Sequence, residues 1–448
     1  MTVSVRPLCI AALLLAAACD ETPPPTTSFP ESLDAQLRRS IGQWGVVPIA
    51  APPQQDPALV ALGRALLFDK ILSGNRDISC ATCHEPALHA TDGLPLAIGT
   101  GGTGTGTART LGPGRSFVPR NAPSLLNSTI GLSYVFWDGR LSRFGPPPPD
   151  VTLPPDLPNV IAAQAMMPVL NRREMRGNPG DVDVFGNLNE LAQFTDSQPD
   201  QIWRAIMQRL LAIPEYVTLF SAAYPGVPPS SLTFGHAATA IAAFQMAALM
   251  KTDSPFDHYL RHEDNAISVE EKRGGILFFT RARCVSCHNG PLLGGQSFSN
   301  SGVPQLGPGV GRGAPLDLGR GELPNNDVYR FAFRVPPLRN VELTAPYFHN
   351  GTFATLESVV AHYNDVPTSL RNFNPATLPA AVQSSYHGDQ ATIDDILKTL
   401  EFTLRTPLQL TEAERGQLVA FLKSLTDPSA RDLSGIVPAS VPSGLPVR

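Results

Sequence analysis

The pentapeptide Cys-x-x-Cys-His occurs twice, at Cys80–His84 and at Cys284–His288. That spacing suits covalent attachment of a c-type haem: two thiols form thioethers with the porphyrin, and the His that follows binds the iron from the proximal side. A porphyrin tied into the chain constrains the fold, because a large apolar plate must be enclosed by the residues around each motif. The competing reading is a zinc ribbon or a redox dithiol. Zinc pairs usually lie about 15–20 residues apart, whereas these begin at residues 80 and 284 and each is followed by His. The expected cofactors are two covalently bound haem c groups, one on Cys80, Cys83 and His84, the other on Cys284, Cys287 and His288.

The N-terminus reads as a targeting segment. Arg6 forms a short positive region, and Cys9 to Ala18 is apolar but too short to span a bilayer. Residues 1–19 end in Ala-Ala-Ala-Cys at Cys19, which resembles a bacterial lipoprotein cleavage box; an ordinary secretory peptide cut near the same place is the alternative. Either way the mature chain is exported to the periplasm, with contact to the membrane only through a lipid on Cys19. Of the six cysteines, Cys9 leaves with the signal, Cys19 carries lipid and four hold haem, so none remains for a disulfide. The net charge of −5 and the absence of a basic run argue against nucleic acid as a partner.

Between a Pro/Thr-rich linker at 20–53 and a Pro/Ser-rich flexible tail at 429–448, the chain reads as two copies of one plan. The first domain covers 54–255 and the second 266–428. Asp56 and Pro57 predict a helix start, with Leu59, Leu62, Leu66 and Leu67 as its apolar stripe up to Asp69. Ser268-Val-Glu-Glu271 is a capping-box pattern that opens the corresponding helix of the second copy. Leu-Gly-Arg-Ala-Leu-Leu-Phe from Leu62 and Arg-Gly-Gly-Ile-Leu-Phe-Phe from Arg273 form a weak internal repeat. Each copy closes with a further helix, over Phe234 to Met250 and after the Thr411-Glu-Ala-Glu414 cap, and helices between Pro199 and Ala223 belong to the first domain. An opening helix, a haem motif and a closing helix are the plan of a cytochrome c domain. The expected fold is mainly α: two cytochrome c-like domains with long loops and little sheet.

Arg120-Asn-Ala-Pro-Ser-Leu-Leu-Asn127, Phe136-Trp-Asp-Gly-Arg140, Gln164-Ala-Met-Met-Pro168 with Glu174-Met175, and Leu338-Arg-Asn-Val-Glu-Leu-Thr-Ala-Pro-Tyr-Phe-His349 together resemble the bacterial di-haem cytochrome c peroxidase family, MauG-like enzymes included. The resemblance runs from about Leu62 to Asp427. It implies that Trp137 lies between the haems and relays electrons, and that Glu174 is the acid/base over the first iron, with Gln164 lining the same pocket. A carboxylate there can take a proton from one peroxide oxygen and return it to the other. Many members cap the first iron with a His in a loop after the first haem motif. Here that loop, Ile98 to Gly106, contains no His, and His89 stands only five residues after His84. An open first haem that needs no reductive activation follows.

The second iron's sixth ligand is a Met in many members, but no Met follows Met250. Tyr363 stands where MauG-like members place a Tyr, and a phenolate is a hard donor that lowers the potential; the adjacent His362 is the alternative ligand. The resemblance also implies a calcium ion between the domains, held by Asn121, Thr344 and Pro346 through oxygen atoms. Members that oxidise a protein at a distance carry a surface Trp two residues before the second motif, and this chain has Ala282 there. The expected activity is reduction of hydrogen peroxide at the first haem, with electrons from a small periplasmic cytochrome c or cupredoxin relayed through the second. The alternatives are a MauG-like oxidase acting on a protein substrate and a di-haem electron carrier. A carrier has no need of Glu174.

Overall fold

The computed structural model describes residues 1–2, 31–129, 131–143 and 151–447. The signal segment and Cys19 lie outside the described residues. The principal helices are α1 (Leu33–Ile41), α2 (Pro57–Phe68), α3 (Val160–Ala165), α4 (Pro199–Leu211), α5 (Pro214–Ala223), α6 (Phe234–Leu249), α7 (Val269–Phe279), α8 (Leu356–Asn364) and α9 (Glu412–Ser424). Sheet is limited, among the described residues, to three two-stranded ladders. No described helix is long and apolar enough to cross a membrane.

The expected helix starts are built as their sequences dictate. Asp56 accepts from the Ala58 amide at 2.7 Å, with Pro57 at the first helical position. Ser268 with Glu271 and Thr411 with Glu414 close reciprocal capping boxes on α7 and α9.

The two copies repeat one helix crossing. A Cβ on Gly63 would lie 1.9 Å from the Ala240 carbonyl oxygen and 2.9 Å from Phe244 Cβ; a Cβ on Gly274 would lie 1.9 Å from the Gln417 carbonyl oxygen and 2.9 Å from Phe421 Cβ. Only glycine lets α2 lie this close to α6, and α7 to α9. The weak repeat in the sequence therefore records one geometric requirement met twice. Around the first crossing, Leu62, Leu66, Phe68, Phe220, Phe234 and Phe244 form a core. Around the second, Phe256, Phe278, Phe279 and Phe421 pack edge to face or tilted.

Both termini depart from the expected linker and tail. Leu33, Leu37 and Ile41 recur every four residues and make α1 amphipathic; Leu37 is fully buried against α7, Asp34 pairs with Lys272 at 2.7 Å, and Arg38 stacks on Tyr259. Residues 33–41 thus belong to the core of the second domain. The C-terminal segment returns instead to the first. Val441 and Leu445 are buried in its core, Arg64 donates to the carbonyls of Ile436 and Val437 at 2.8 Å each, and Ser443 Oγ donates to Asp69 at 2.6 Å. Composition suggested looseness at both ends, but a few apolar side chains at suitable spacing suffice to dock a segment. A chain ended after Arg431 is expected to unfold at lower temperature, with a loss on the order of 2–4 kcal/mol from the missing burial of Val441 and Leu445. Calorimetry checks this, and the loss should fall on the first domain, with the second domain's transition unmoved.

Candidate active site

A cavity of about 1340 Å³, partly open to solvent, lies in the second domain. Cys284, Cys287, His288, Tyr363 and Trp137 all line it, and its walls are otherwise mainly apolar, with Phe278, Val335, Leu338 and Leu418 among them. His288 Nδ1 lies 3.0 Å from the Leu293 carbonyl oxygen. That contact fixes the ring and suits Nε2 to a metal. Burial holds the imidazole down to about 4, against the carbonyls of Leu293 and Pro336, so it is neutral and able to ligate.

Tyr363 comes from α8, whose start is capped by Thr355 and Ser358. Its hydroxyl donates to Ser301 Oγ at 3.4 Å, and burial pushes the phenol up. His362, one residue earlier, is rotated by about 100° on the helix. Its Nδ1 meets Ser369 Oγ and its Nε2 meets the Ser301 carbonyl, each at 2.9 Å, and it does not line the cavity. Of the two alternatives, Tyr363 is the one that the fold turns toward His288. Ala282 is buried in the same wall.

The first motif is arranged in the same way. His84 Nδ1 lies 3.2 Å from the Ala90 carbonyl, and burial holds the ring down to about 4, against the carbonyls of Ala90 and Pro123. The pairing of Ala90 and Pro123 with His84 repeats that of Leu293 and Pro336 with His288. Burial pushes all four thiols up, Cys80 to about 11 and Cys284 to about 12.

Glu174 lies within electrostatic reach of both Cys80 and Cys83. Burial raises its carboxyl above the ordinary range, opposed by Arg140, Arg120 and a 2.8 Å hydrogen bond from Asn171 Nδ2. It sits on a π-helical turn, Arg172–Arg176, capped by Asn171. Loops clamp this turn from two sides. The Thr100 amide donates to the Glu174 carbonyl at 2.7 Å and the Gly74 amide to the Met175 carbonyl at 2.7 Å. A Cβ on Gly99 would lie 2.0 Å from the Arg173 carbonyl oxygen. The His-free loop from Ile98 to Gly106 therefore serves as a support packed against the Glu174 turn. His89 is turned elsewhere, with Nδ1 3.1 Å from the Ala430 carbonyl in the C-terminal segment. Gln164 is half-buried at the end of α3, on the same stretch of chain as Glu174.

Trp137 is carried at the tip of a hairpin. Strands β1 (Tyr134–Val135) and β2 (Leu141–Ser142) pair with Val135 opposite Leu141, so Phe136 to Arg140 form the loop. Asp138 in that loop accepts from Arg120 at 2.7 Å and from Arg140 at 2.8 Å, while Arg120 forks onto Asp317 of the second domain at 2.6 and 2.9 Å. The indole Nε1 donates to the Asn121 carbonyl at 2.9 Å, and the Trp137 carbonyl accepts from the Arg334 amide at 2.7 Å. The ring is thereby fixed between segments of both domains and forms part of the second cavity's wall.

Asn121 also meets the segment expected to share calcium. Its amide donates to the His349 carbonyl at 2.7 Å, and Gly351 fits closely between Pro95 and Pro346. Among the described residues, no cluster of three or more His, Cys, Asp or Glu side chains could hold a metal. A cation here would therefore rely on amide and carbonyl oxygens. Sequence reasoning passed over Arg334, a cation within the apolar run Phe331-Ala-Phe-Arg-Val; a charge interrupting such a run was the available signal.

The chain is similar to known proteins over much of its length. Residues 57–265 match the family described as di-haem cytochrome c peroxidase. The chain is 30% identical to the methylamine utilization protein MauG of Methylorubrum extorquens, over 84% of this chain and 80% of that protein. It is 32% identical to the cytochrome c551 peroxidase of Pseudomonas aeruginosa, over 67% of this chain and 70% of that protein. Among solved structures, a MauG-like protein associated with microbial copper homeostasis superposes with a TM-score of 0.59 at 27% identity, covering 88% of this chain and 97% of that one. By this likeness, the chain belongs to the di-haem cytochrome c peroxidase family.

Proposed function

We propose that this protein reduces hydrogen peroxide at the site formed by Cys80, Cys83 and His84, with Glu174 as acid/base, Gln164 beside it and Trp137 on the electron path to the second site. The observation that carries the reading is the enclosed Glu174 carboxyl, raised above the ordinary range by burial and within electrostatic reach of the first Cys pair. The cavity fits a haem: its walls are mainly apolar, both thiols and the anchored His288 line it, and the buried Arg334 on its wall has an Nη1 with no hydrogen-bond partner. A haem at each motif would supply the one-electron chemistry. Glu174 takes the proton from one peroxide oxygen and gives it to the other, so that two electrons and two further protons complete the conversion to two waters. Tyr363 is the sixth ligand in this reading. Its raised phenol pKa means that it ionises only against a strong local cation such as iron.

The electrons come from a small periplasmic cytochrome c or cupredoxin, and the exported chain is held to a membrane through Cys19. A calcium ion bound by Asn121, Thr344 and Pro346 would stiffen the domain seam. A second reading, a MauG-like oxidase of a protein partner, draws support from the match to MauG and from Tyr363. The buried Ala282 removes the surface Trp route, which favours peroxide reduction by small donors.

Glu174→Gln is expected to lower peroxidase kcat/KM about 10²–10⁴-fold while electron transfer between the haems keeps its rate; an unchanged peroxidase turnover would remove Glu174 from the acid/base role. The fully ferric protein should change its absorption spectrum promptly on one equivalent of peroxide, without reductant. No response until the second haem is reduced would mean that the first iron is capped. Tyr363→Phe should raise the second haem's potential and turn its EPR signal high-spin, whereas an unaltered signal would exclude Tyr363 as a ligand.

A further inference from the structure

Arg334 stands out among the buried arginines. It lies on β4 (Phe333–Arg334), which pairs with β3 (Phe298–Ser299) so that Arg334 faces Phe298 in register. It is only 6% exposed and lines the second cavity together with Trp137 and His288. Its Nε donates to the Phe136 carbonyl at 3.1 Å, but its Nη1 is buried with no hydrogen-bond partner. Arg176 Nε and Arg339 Nη2 are also without a hydrogen bond, but both of those guanidinium groups pair with a carboxylate, and the remaining buried arginines have acceptors. Arg120 forks onto Asp317, Arg339 meets Asp257 at 3.1 Å, and Arg109 donates to three carbonyls. Asp138, the carboxylate that acts on Arg334 electrostatically, is already engaged by Arg120 and Arg140. Burial has lowered the guanidinium to about 10, and Asp138 offsets this only in part.

A buried guanidinium nitrogen without an acceptor is costly, and at the cavity wall it is suited to an anion. A planar fork matches a carboxylate better than any neutral acceptor. We propose that Arg334 binds a propionate carboxylate of the second haem, on the wall that this haem shares with Trp137. The assignment rests on the reading that the cavity takes a haem, and it adds which residue orients it. A porphyrin is apolar except for two carboxylates on one edge, and the cavity is apolar except for a few polar groups, of which Arg334 is the buried cation. Arg283 also lines the cavity, but it is exposed and reaches outward to the Thr406 carbonyl at 3.3 Å. Arg334 therefore fixes the propionate edge toward Trp137 and places a positive charge beside both redox groups.

The test uses the purified full-length holoprotein, with Arg334→Gln, Arg334→Lys and Arg283→Gln as variants. Haem content by pyridine haemochrome, potentiometric titration of each haem and the resonance Raman propionate-bending mode are the readouts. Arg334→Gln is expected to lower the second haem's potential, because the ferric state loses a repelling cation, and to shift the propionate mode, with the first haem unmoved. Arg334→Lys keeps the charge and loses the fork, so the mode shifts while most of the potential is retained. Arg283→Gln should change neither. Two bound haems with an unaltered potential and mode in Arg334→Gln would overturn the assignment and leave Arg334 as a tie to the Phe136 carbonyl. If that variant does not accumulate, an unshifted mode in Arg334→Lys overturns it equally. A wild-type protein without haem on Cys284 and Cys287 would instead remove the underlying reading, and this proposal with it.

Discussion

The fork of Arg120 onto Asp317, with its third contact to Asp138, is the interaction on which the arrangement of the two sites depends. Arg120 belongs to the first domain, Asp317 to the second and Asp138 to the loop that carries Trp137. All three are buried. Although burial opposes it, the paired carboxylates hold Arg120 well above its ordinary value, and the arginines hold Asp138 well below. Removing one member of such a group strands the others without a partner and typically costs about 3–5 kcal/mol. The network thus fixes position more than it adds net stability. It ties the Trp137 loop to a place where both domains meet, and Asn121, next to Arg120, holds the indole N–H.

On either side of this tie the fold is one construction used twice. The crossing at Gly63 and the crossing at Gly274 bring an opening helix onto a closing helix at the same distances. Each proximal His is then anchored by a carbonyl a few residues on and by a proline carbonyl in the segment that crosses it. The terminal segments are exchanged across the pair: α1 packs into the second core and residues 433–447 into the first. That exchange adds non-covalent ties between the domains to the chain that joins them. The second copy kept a cavity that pairs His288 with Tyr363, and the first acquired a clamped turn that presents Glu174. The same frame therefore carries two environments of different polarity.

Much of this was legible because it is local. The haem motifs, the capping boxes at Ser268 and Thr411, and the helix start at Asp56 each depend on residues within one turn of one another. The misreadings came where composition stood in for packing. Residues 33–41 sit in a Pro-rich stretch, and the spacing of Leu33, Leu37 and Ile41 was the only sign of a helix that needs α7 to be stable. Val441 and Leu445 are too few and too widely spaced to announce that they dock. Arg334 appeared as one charge in an apolar run, and its want of a partner shows only when every neighbouring carboxylate is seen to be taken.

By itself the sequence displayed two Cys-x-x-Cys-His motifs, a helical plan used twice, and the motifs that mark the family. These follow from covalent spacing and short-range periodicity, which survive without knowledge of neighbours. Only the tertiary structure decided that Tyr363 and not His362 lines the cavity that His288 lines, that the glycine loop supports the Glu174 turn, and that the termini change places. Those choices depend on helix rotation, close backbone approach and the saturation of buried charges, and each is settled by groups far apart in the chain that meet only when it is folded.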